Sequence, residues 1–297
     1  MVTVRQLERS VRTWRQLVTW LHVGVLLLLA NPLWAWNALG HRLIAQIALD
    51  HLNPQTKALV YRYHRAFNAS LRRRDSWVMS AVWLDRLYQR ELAPWRAMHY
   101  IDYAFSEDGA AYSPPQKINA LWAMELIRKI LDDPLASDAE KGLALRMAMH
   151  IIGDLHQPLH TITKISAREP EGDRGGNRVK FKRNSIAPNL HAYWDRAGGF
   201  WMKHKHYSAR DIQLLAKKMS RKAPCVFEYN PSPVLWAQES HRLARQMAYG
   251  SLPDHQQPDR AYQTMVRLTS RHQMLQAGCH LSSWLNVWVA TPTHQVP

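Results

Sequence analysis

Two copies of one short motif, His-x-x-x-Asp, constrain this chain more than any other feature. One copy spans His150–Asp154 and the other spans His191–Asp195. Residues four apart on an α-helix lie on the same face, with their side chains about 5–6 Å apart, so each pair can grip one metal ion. Imidazole nitrogen and carboxylate oxygen are ligands that suit zinc. The two motifs therefore predict two helices that each present a pair of metal ligands.

Further histidines and aspartates strengthen this interpretation. A single His-x-x-x-Asp motif is more often a surface or capping pair than a metal site. Here Pro158 ends the first helix and allows His160 to point elsewhere. Two more short motifs lie upstream, at Trp83–Asp85 and His99–Asp102. The combination favours a metal centre over separate surface pairs.

The N-terminal 35 residues have the pattern of a secretory signal peptide. An apolar stretch at 21–30 follows a basic start and precedes Ala35, a small residue suited to cleavage. The stretch is shorter than the roughly 20 residues that a membrane span needs, although an uncleaved anchor is the alternative. Cleavage after Ala35 makes Trp36 the first residue. Its α-amino group, with an ordinary pKa of about 7.7–8.0, and its carbonyl can then chelate a metal.

Motifs along nearly the whole mature chain resemble those of the S1/P1 family of trinuclear-zinc, single-strand-specific nucleases. The N-terminal tryptophan comes first, and the matching segments that follow are Gly40-His41, Trp83–Asp85, His99–Asp102, His150–His160, Gly175–Asn177, Asn189–Asp195, Trp236–His241, and Ala277-Gly278 to Asn286. The order and spacing of the ligand positions make the resemblance specific.

The resemblance implies three zinc ions with nine ligand residues. One zinc is expected on Asp85, His99, His150 and Asp154. A second is expected on His160, His191 and Asp195. The third is expected on the amine and carbonyl of Trp36, on His41, and on Asp154 as a shared carboxylate. His156 is not a ligand in the family, and we expect it to orient ligands by hydrogen bonding.

The same resemblance implies the reaction. Two zincs about 3.5–4 Å apart activate a shared hydroxide, which attacks a phosphodiester in line. Asp154 would set the separation of that pair, and Asp154 and Asp102 are the candidate catalytic residues. The expected activities are those of an endonuclease and a 3′-nucleotidase on single-stranded DNA, RNA and nucleotides, with 5′-phosphorylated products.

Substrate contacts are expected at three positions. Tyr100 occupies the place of an aromatic that stacks on a base, and Asp102 that of an aspartate near the nucleotide. Stacking needs an unpaired base and so favours single strands. Asn177 is a candidate for a base edge, while an ordinary core aromatic is the alternative for Tyr100. One departure is Tyr88, where the family usually carries a basic residue that contacts phosphate.

Composition agrees with a polyanionic substrate. The chain has a formal net charge of +16, which attracts nucleic acid but would suit an anionic membrane equally well. The cluster at 72–74 is most simply a solvated face, with a nucleic-acid contact as the alternative. We expect a secreted or periplasmic monomer, with no membrane attachment after cleavage and no stable protein partner.

The expected fold is mainly α, one multi-helix domain over residues 36–297 of the phospholipase C/zinc nuclease type, with the zincs in a cleft. Apolar residues recur at helical spacing over 118–131 and 143–152, and residues 178–182 read as a short strand. Cys225 and Cys279 can form a disulfide in an oxidising compartment, although sequence alone does not show that they meet.

Two other functions compete with the nuclease. Zinc-dependent phospholipases C share the implied fold and zinc chemistry, but they typically have a longer gap after the N-terminal tryptophan and glutamate as the last ligand. Here His41 follows Trp36 closely and the last ligand is Asp195. A zinc- or nucleic-acid-binding protein without turnover is the other alternative, favoured only by Tyr88.

Overall fold

Helices form most of the chain in the computed structural model, which describes residues 36–86, 93–200, 207–253 and 257–290. The predicted signal peptide and Tyr88 lie outside these ranges. In chain order the α-helices are α1 (Ala38–His51), α2 (Pro54–Ser70), α3 (Trp77–Ser80), α4 (Trp83–Arg86), α5 (Ala93–Ala97), α6 (Ala120–Asp132), α7 (Asp138–Leu155), α8 (Leu190–Asp195), α9 (Ala209–Lys222), α10 (Pro233–Leu243) and α11 (Arg260–Ala290).

Shorter elements connect these helices. Tight 3-10 turns lie at Pro158–His160 and Ala197–Gly199, and a π-helical segment, Ala244–Tyr249, follows α10. Strands β1 (Ala104–Ser106) and β2 (Thr163–Ile165) pair in parallel, with Ala104 opposite Thr163. The mainly α fold expected from the sequence is confirmed.

Polar N-caps explain where the long helices begin. An asparagine or serine side chain accepts a hydrogen bond from a backbone N–H in the first turn, which satisfies a group that the helix leaves unpaired. Each such cap contributes about 1 kcal/mol. The capping residues are Asn37, Asn53, Asn119, Ser137, Asn189, Ser208 and Ser232.

Helix α7 lies at the centre of the packing. Its residues from Ala144 to Leu155 are buried on every face, as expected of a helix surrounded by others. It packs against α2, α6 and α11, while α11 also packs along α1. A second apolar cluster surrounds α8 and includes Leu190, Trp194 and Tyr262. The C-terminal end of α7 continues into the turn Pro158–His160, whose Leu159 belongs to this second cluster.

The pairing of Cys225 with Cys279, which the sequence left open, is present in the structure. Their Cα atoms lie 5.3 Å apart and the two residues form a disulfide. The bond ties the segment after α9 to α11, because Cys279 lies within α11 and Cys225 follows the end of α9. Within the described ranges, no helix combines the length and apolar character that crossing a membrane requires.

The helices expected at 118–131 and 143–152 correspond to α6 and α7. The strand expected at 178–182 is wrong. Only Lys180 pairs there, in an isolated bridge with Asn189. Turns at Gly175, Gly176 and Arg183, all with positive φ, flank the bridge and prevent a longer ladder. The two real strands are too short for an alternating pattern to identify them.

The first prediction concerns protein stability and follows from the close packing of α2 against α7. A methyl group on Gly142 would lie 2.1 Å from the Tyr63 carbonyl oxygen and 2.7 Å from the Phe67 Cβ. Alanine in place of glycine normally stabilises a helix by about 1 kcal/mol, but overpacking costs about 1–3 kcal/mol. We expect Gly142→Ala to destabilise the protein by roughly 1–2 kcal/mol, and Gly142→Ser to do so further, as measured by chemical denaturation. A stabilised alanine variant would contradict this packing.

A candidate metal centre

His150 and Asp154 meet on the buried face of α7. Both are fully buried, and the His150 Nε2 lies 3.4 Å from the Asp154 Oδ2. The His150 Nδ1 donates a hydrogen bond of 2.7 Å to the Ala81 carbonyl oxygen. A carbonyl can only accept, so a proton sits on Nδ1, and Nε2 is the ring nitrogen that faces the carboxylate. The ring is therefore oriented as a metal ligand.

Helix α1 brings His41 to the other oxygen of Asp154. The His41 Nε2 lies 3.3 Å from the Asp154 Oδ1, and the His41 ring stacks on that of His150 with centroids 4.0 Å apart. Gly153 makes this approach possible, because a Cβ there would lie 2.8 Å from the His41 Nδ1. Helices α1 and α7 thus meet closely enough to place two histidines beside one carboxylate.

Asp85 on α4 and His99 after α5 complete this part of the centre. The His99 Nδ1 lies 2.9 Å from the Asp154 Oδ2 and 4.0 Å from the Asp85 Oδ1. The Asp85 Oδ1 is also 3.3 Å from the His150 Nε2. The four ligands expected for one zinc thus converge from two helices, α4 and α7, and a turn.

A second group forms where α7 ends and α8 begins. The His160 Nδ1 donates to the His99 carbonyl oxygen at 2.8 Å, and the His191 Nδ1 donates to the Gly175 carbonyl oxygen at 2.8 Å. The His191 Nε2 lies 3.6 Å from the Asp195 Oδ2. The two rings are 4.9 Å apart. Again each Nδ1 is held by a carbonyl, which leaves Nε2 as the ligand atom.

Gln157 holds the carboxylate of this second group. Its Nε2 donates to the Asp195 Oδ1 at 2.6 Å, and its Oε1 accepts from the Leu159 backbone N–H at 2.6 Å. The amide is therefore fixed at both ends, and it leaves the Asp195 Oδ2 directed toward His191.

Trp36 lies beside both groups. Its side chain is fully buried and its indole N–H donates to the Gly153 carbonyl oxygen at 3.0 Å. The backbone N–H of the next residue, Asn37, donates to the Asp195 carbonyl oxygen at 3.0 Å. These contacts place the Trp36 backbone between the end of α7 and α8. A role for its α-amine as a ligand stays a prediction.

Three groups of side chains in the described part of the chain are close enough to hold a metal. They are His41, His150 and Asp154; Asp85, His99 and His150; and His160, His191 and Asp195. Together they contain all of the predicted side-chain ligands. The structure thus brings these residues together, and the assignment of each to a particular zinc stays a prediction.

Unpaired buried atoms show that the centre suits a cation. Within the described residues, the buried Nε2 of His160, both ring nitrogens of His41, the Asp85 Oδ2 and the Asp154 Oδ1 make no hydrogen bond. Buried polar atoms are almost always paired. Nitrogen and carboxylate donors are those that zinc takes, so the donor set fits the expected metal.

The pKa values show the cost of this arrangement. Burial raises the pKa of Asp195 well above its ordinary value. Burial also opposes ionisation of Asp154, but the adjacent His150 and His41 bring the pKa of Asp154 well below its ordinary value. For His150, burial is outweighed by Asp154 and Asp85, which raise its pKa to about 9. The histidines thus provide the buried carboxylates with positive charge, and a bound metal cation would take over that role.

The predicted substrate residues lie near the same centre in sequence and are only partly enclosed. Tyr100 is half-buried, and its carbonyl oxygen accepts from the Ala120 N–H at the start of α6. Burial and the nearby Asp173 raise the pKa of Asp102 to about 6. The Asn177 amide donates to the Arg174 carbonyl oxygen at 2.8 Å, which occupies one of its donors. The substrate roles of Tyr100, Asp102 and Asn177 stay predictions.

The hydrogen-bonding role expected for His156 is wrong. Both of its ring nitrogens are used elsewhere, by the Ile152 carbonyl oxygen at 2.7 Å and by the His280 Nδ1 at 2.7 Å. Its carbonyl oxygen accepts from the Gln273 side chain. His156 therefore joins α7 to α11 and does not orient a ligand.

Sequence reasoning missed Gln157, Gly153 and the carbonyls that hold the imidazoles. Gln157 carried a usable signal, because a polar residue between two ligands, Asp154 and His160, is a natural partner for a third. The carbonyls of Ala81 and Gly175 carry no signal, since every residue has one.

Comparison with known proteins gives the class of the chain. A family model described as S1/P1 Nuclease matches residues 36–290. The chain belongs to this family, and the resemblance inferred from its motifs is confirmed.

Curated relatives agree with this membership. The chain is 25% identical to Nuclease P1 of Penicillium citrinum over 178 residues, which cover 54% of this chain and 57% of that protein. It is 26% identical to Nuclease S1 of Aspergillus oryzae over 194 residues, or 59% and 60% of the two chains. Endonuclease 4 of Arabidopsis thaliana is 23% identical over 97% of this chain and 99% of its own length. The chain thus spans less than two thirds of the two fungal nucleases.

The contact between Gln157 and Asp195 makes the second prediction. Loss of a hydrogen-bond partner of a metal ligand typically weakens metal affinity by about 10- to 100-fold. We expect Gln157→Leu to weaken one zinc by that factor and to leave the others in place, as measured by competition with a chelator. Gln273→Leu is the matched control, because Gln273 is also buried but donates to His156 and Ser240. Equal affinities in Gln157→Leu and wild type would remove this role.

Proposed function

We propose that this protein is a zinc-dependent nuclease that hydrolyses phosphodiester bonds of single-stranded DNA and RNA, with 3′-nucleotidase activity and 5′-phosphorylated products. The observation that carries the proposal is the position of Asp154. Its side chain is fully buried, with Oδ1 facing His41 and Oδ2 facing His99 and His150. One carboxylate can thus share a metal with His41 through one oxygen and with His99 and His150 through the other.

The chain's own residues provide the framework for this chemistry. Asp154 lies between His41 on one side and His99 and His150 on the other. Backbone carbonyls fix the histidine rings, and Gln157 fixes Asp195. Three zinc ions held by these groups and by Trp36 would supply Lewis acidity that polarises a phosphoryl oxygen and acidifies water at neutral pH. Burial of the ligands keeps bulk water away and strengthens the electrostatic interactions at the reacting phosphate.

Substrate selection would depend on Tyr100, Asp102 and Asn177. An unpaired base can stack on a partly exposed Tyr100, which would contribute about 1–3 kcal/mol to binding. Paired bases cannot reach such a ring, and this supports a preference for single strands. Asp102 would accept a hydrogen bond from the nucleotide. Its pKa of about 6 means that the carboxyl group is mostly ionised only above that pH.

Charge and compartment support the same function. The chain has a formal net charge of +16, most of it on residues after the leader, and this charge attracts nucleic acid. The Cys225–Cys279 disulfide suits an oxidising compartment outside the cytosol. We infer export by the N-terminal leader, cleavage before Trp36, and a monomeric enzyme in the periplasm or outside the cell.

The alternatives can be separated in one assay. Release of acid-soluble nucleotides from single-stranded DNA supports the nuclease, and cleavage of phosphatidylcholine supports a phospholipase C. Binding of DNA without release of nucleotides supports a protein without turnover. The family match at residues 36–290 favours the first outcome.

The shared carboxylate makes the third prediction. Asp154→Asn should lower kcat by more than about 100-fold. Loss of a residue that only hydrogen-bonds a metal ligand already costs up to about 100-fold, and Asp154 is itself a predicted ligand. Asp138→Asn is the matched control on the same helix, since Asp138 is paired with Arg62 at the surface. The measurement is turnover of single-stranded DNA at saturating zinc. Wild-type turnover in Asp154→Asn would show that this carboxylate does not link the metals.

The fourth prediction concerns an atom that exists only after processing. If the Trp36 amine is a ligand, a preceding residue converts it into an amide nitrogen that does not bind zinc. Protein beginning at Ala35 should then hold about one zinc fewer and lose activity relative to protein beginning at Trp36. Zinc content and turnover are compared at matched purity. Identical values in both proteins would exclude the terminal ligand.

A further inference from the structure

One cavity of the described part of the chain contains none of the predicted metal ligands. It has a volume of about 580 Å³ and lies between α1, α2, the segment at 73–79 and α9. Three arginines line it: Arg65, Arg73 and Arg74. The cluster at 72–74, interpreted from sequence as a solvated face, therefore contributes two of its three arginines to a cavity.

The balance of charge at this cavity is positive. Asp75 is the carboxylate among the lining residues, and its Oδ2 is paired with the Arg73 Nε at 2.7 Å. Arg65 and Arg74 are exposed, and neither forms a salt bridge with a carboxylate in the described part of the chain. Two guanidinium groups at the opening thus remain available to an anion.

A buried arginine adds to this charge from beneath. Arg146 on α7 is 1% exposed, and its Nη2 donates to the Asn68 Oδ1 at 2.6 Å. Its Nε and Nη1 have no hydrogen-bond partner among the described residues. The rings of Phe67 and Trp83 lie 4.8 and 5.5 Å from its guanidinium carbon. Because Arg146 donates to Asn68, which lines the cavity, its positive charge lies next to the cavity wall.

The same network holds the arginine-bearing segment in place. The Asn68 Nδ2 and the His64 Nε2 both donate to the Asp75 carbonyl oxygen, at 2.7 and 2.8 Å. Asn68 and His64 also line the cavity. Arg146 is therefore connected through Asn68 to the backbone that carries Arg73 and Arg74. The opening is a built feature, since buried side chains fix its position.

Part of the cavity wall is apolar. It includes the partly exposed side chains of Tyr61, Val78 and Met79. Small-molecule sites commonly have volumes of about 300–1,000 Å³, apolar walls and a few polar groups that fix orientation. The cavity is larger than a bare phosphate needs. A bound phosphate ion would leave the apolar wall in contact with water. Its chemistry fits a ligand that joins an anionic group to a flat ring.

We propose that this cavity is a second binding site that takes a nucleotide, with the phosphate at Arg65 and Arg74 and the base against the apolar wall. The phosphate-bearing ligand is either a free mononucleotide or the end of a single strand. The site requires no turnover at the metal centre, so it goes beyond the proposed nuclease activity.

Hydrogen exchange measured by mass spectrometry tests the proposal, because it locates binding within the chain. Adenosine 5′-monophosphate, inorganic phosphate and a short single-stranded oligonucleotide are each added to the mature protein. We expect the mononucleotide to protect peptides covering residues 61–79. If only the oligonucleotide protects them, the ligand is the strand end.

Two double variants with equal loss of charge provide the control. Arg65→Gln/Arg74→Gln should weaken nucleotide binding at this cavity by more than about 10-fold, because two charge-assisted contacts to the phosphate are lost. Lys217→Gln/Lys218→Gln removes two exposed charges from α9 that do not line the cavity, and it should leave the protection unchanged.

The outcomes separate this proposal from the nuclease. Protection that persists in Asp154→Asn supports a site independent of the metal centre, whatever the activity of the protein. Protection confined to residues 150–160 and 191–195 would overturn it. Equal dissociation constants for phosphate and mononucleotide, or equal weakening in the two double variants, would also contradict a nucleotide site.

Discussion

Burial of carboxylate groups in one small region is the constraint on which this structure depends. Asp154 is fully buried, and Asp85 and Asp195 are 8% and 5% exposed. A buried carboxylate is strongly unfavourable without compensating charge and hydrogen bonds. The histidines around them present Nε2 as the ligand atom, because backbone carbonyls accept hydrogen bonds from Nδ1 of His150, His160 and His191. Metal cations would compensate the carboxylates without a change in the packing.

Helix α7 combines stability with this chemistry. Its apolar faces form the centre of the core, and its last turns carry His150 and Asp154. The absence of side chains at Gly142 and Gly153 lets α2 and α1 approach it closely. A larger side chain at either glycine would displace metal ligands as well as weaken the packing. Stability and metal binding are therefore linked through one element.

Sequence reasoning succeeded where residue type and spacing carry the information. The i, i+4 spacing of the two His-x-x-x-Asp motifs identified helices α7 and α8 and their predicted ligand pairs, and the two cysteines were recognised as possible disulfide partners. It failed where the contact depends on tertiary structure. His156 lies between ligands in the sequence but contacts His280 on α11. Nothing in the sequence distinguishes Arg146, and only the fold places its charge beside a residue that lines a cavity. The carbonyls that orient the imidazoles belong to residues of any type.

The central claim is that these buried ligands hold a cluster of three zincs. The most direct test is the zinc content per chain of protein that begins at Trp36, purified without chelators and measured by elemental mass spectrometry beside its turnover of single-stranded DNA. The account predicts close to three zincs per chain in active protein. Active protein with one zinc or none would contradict it.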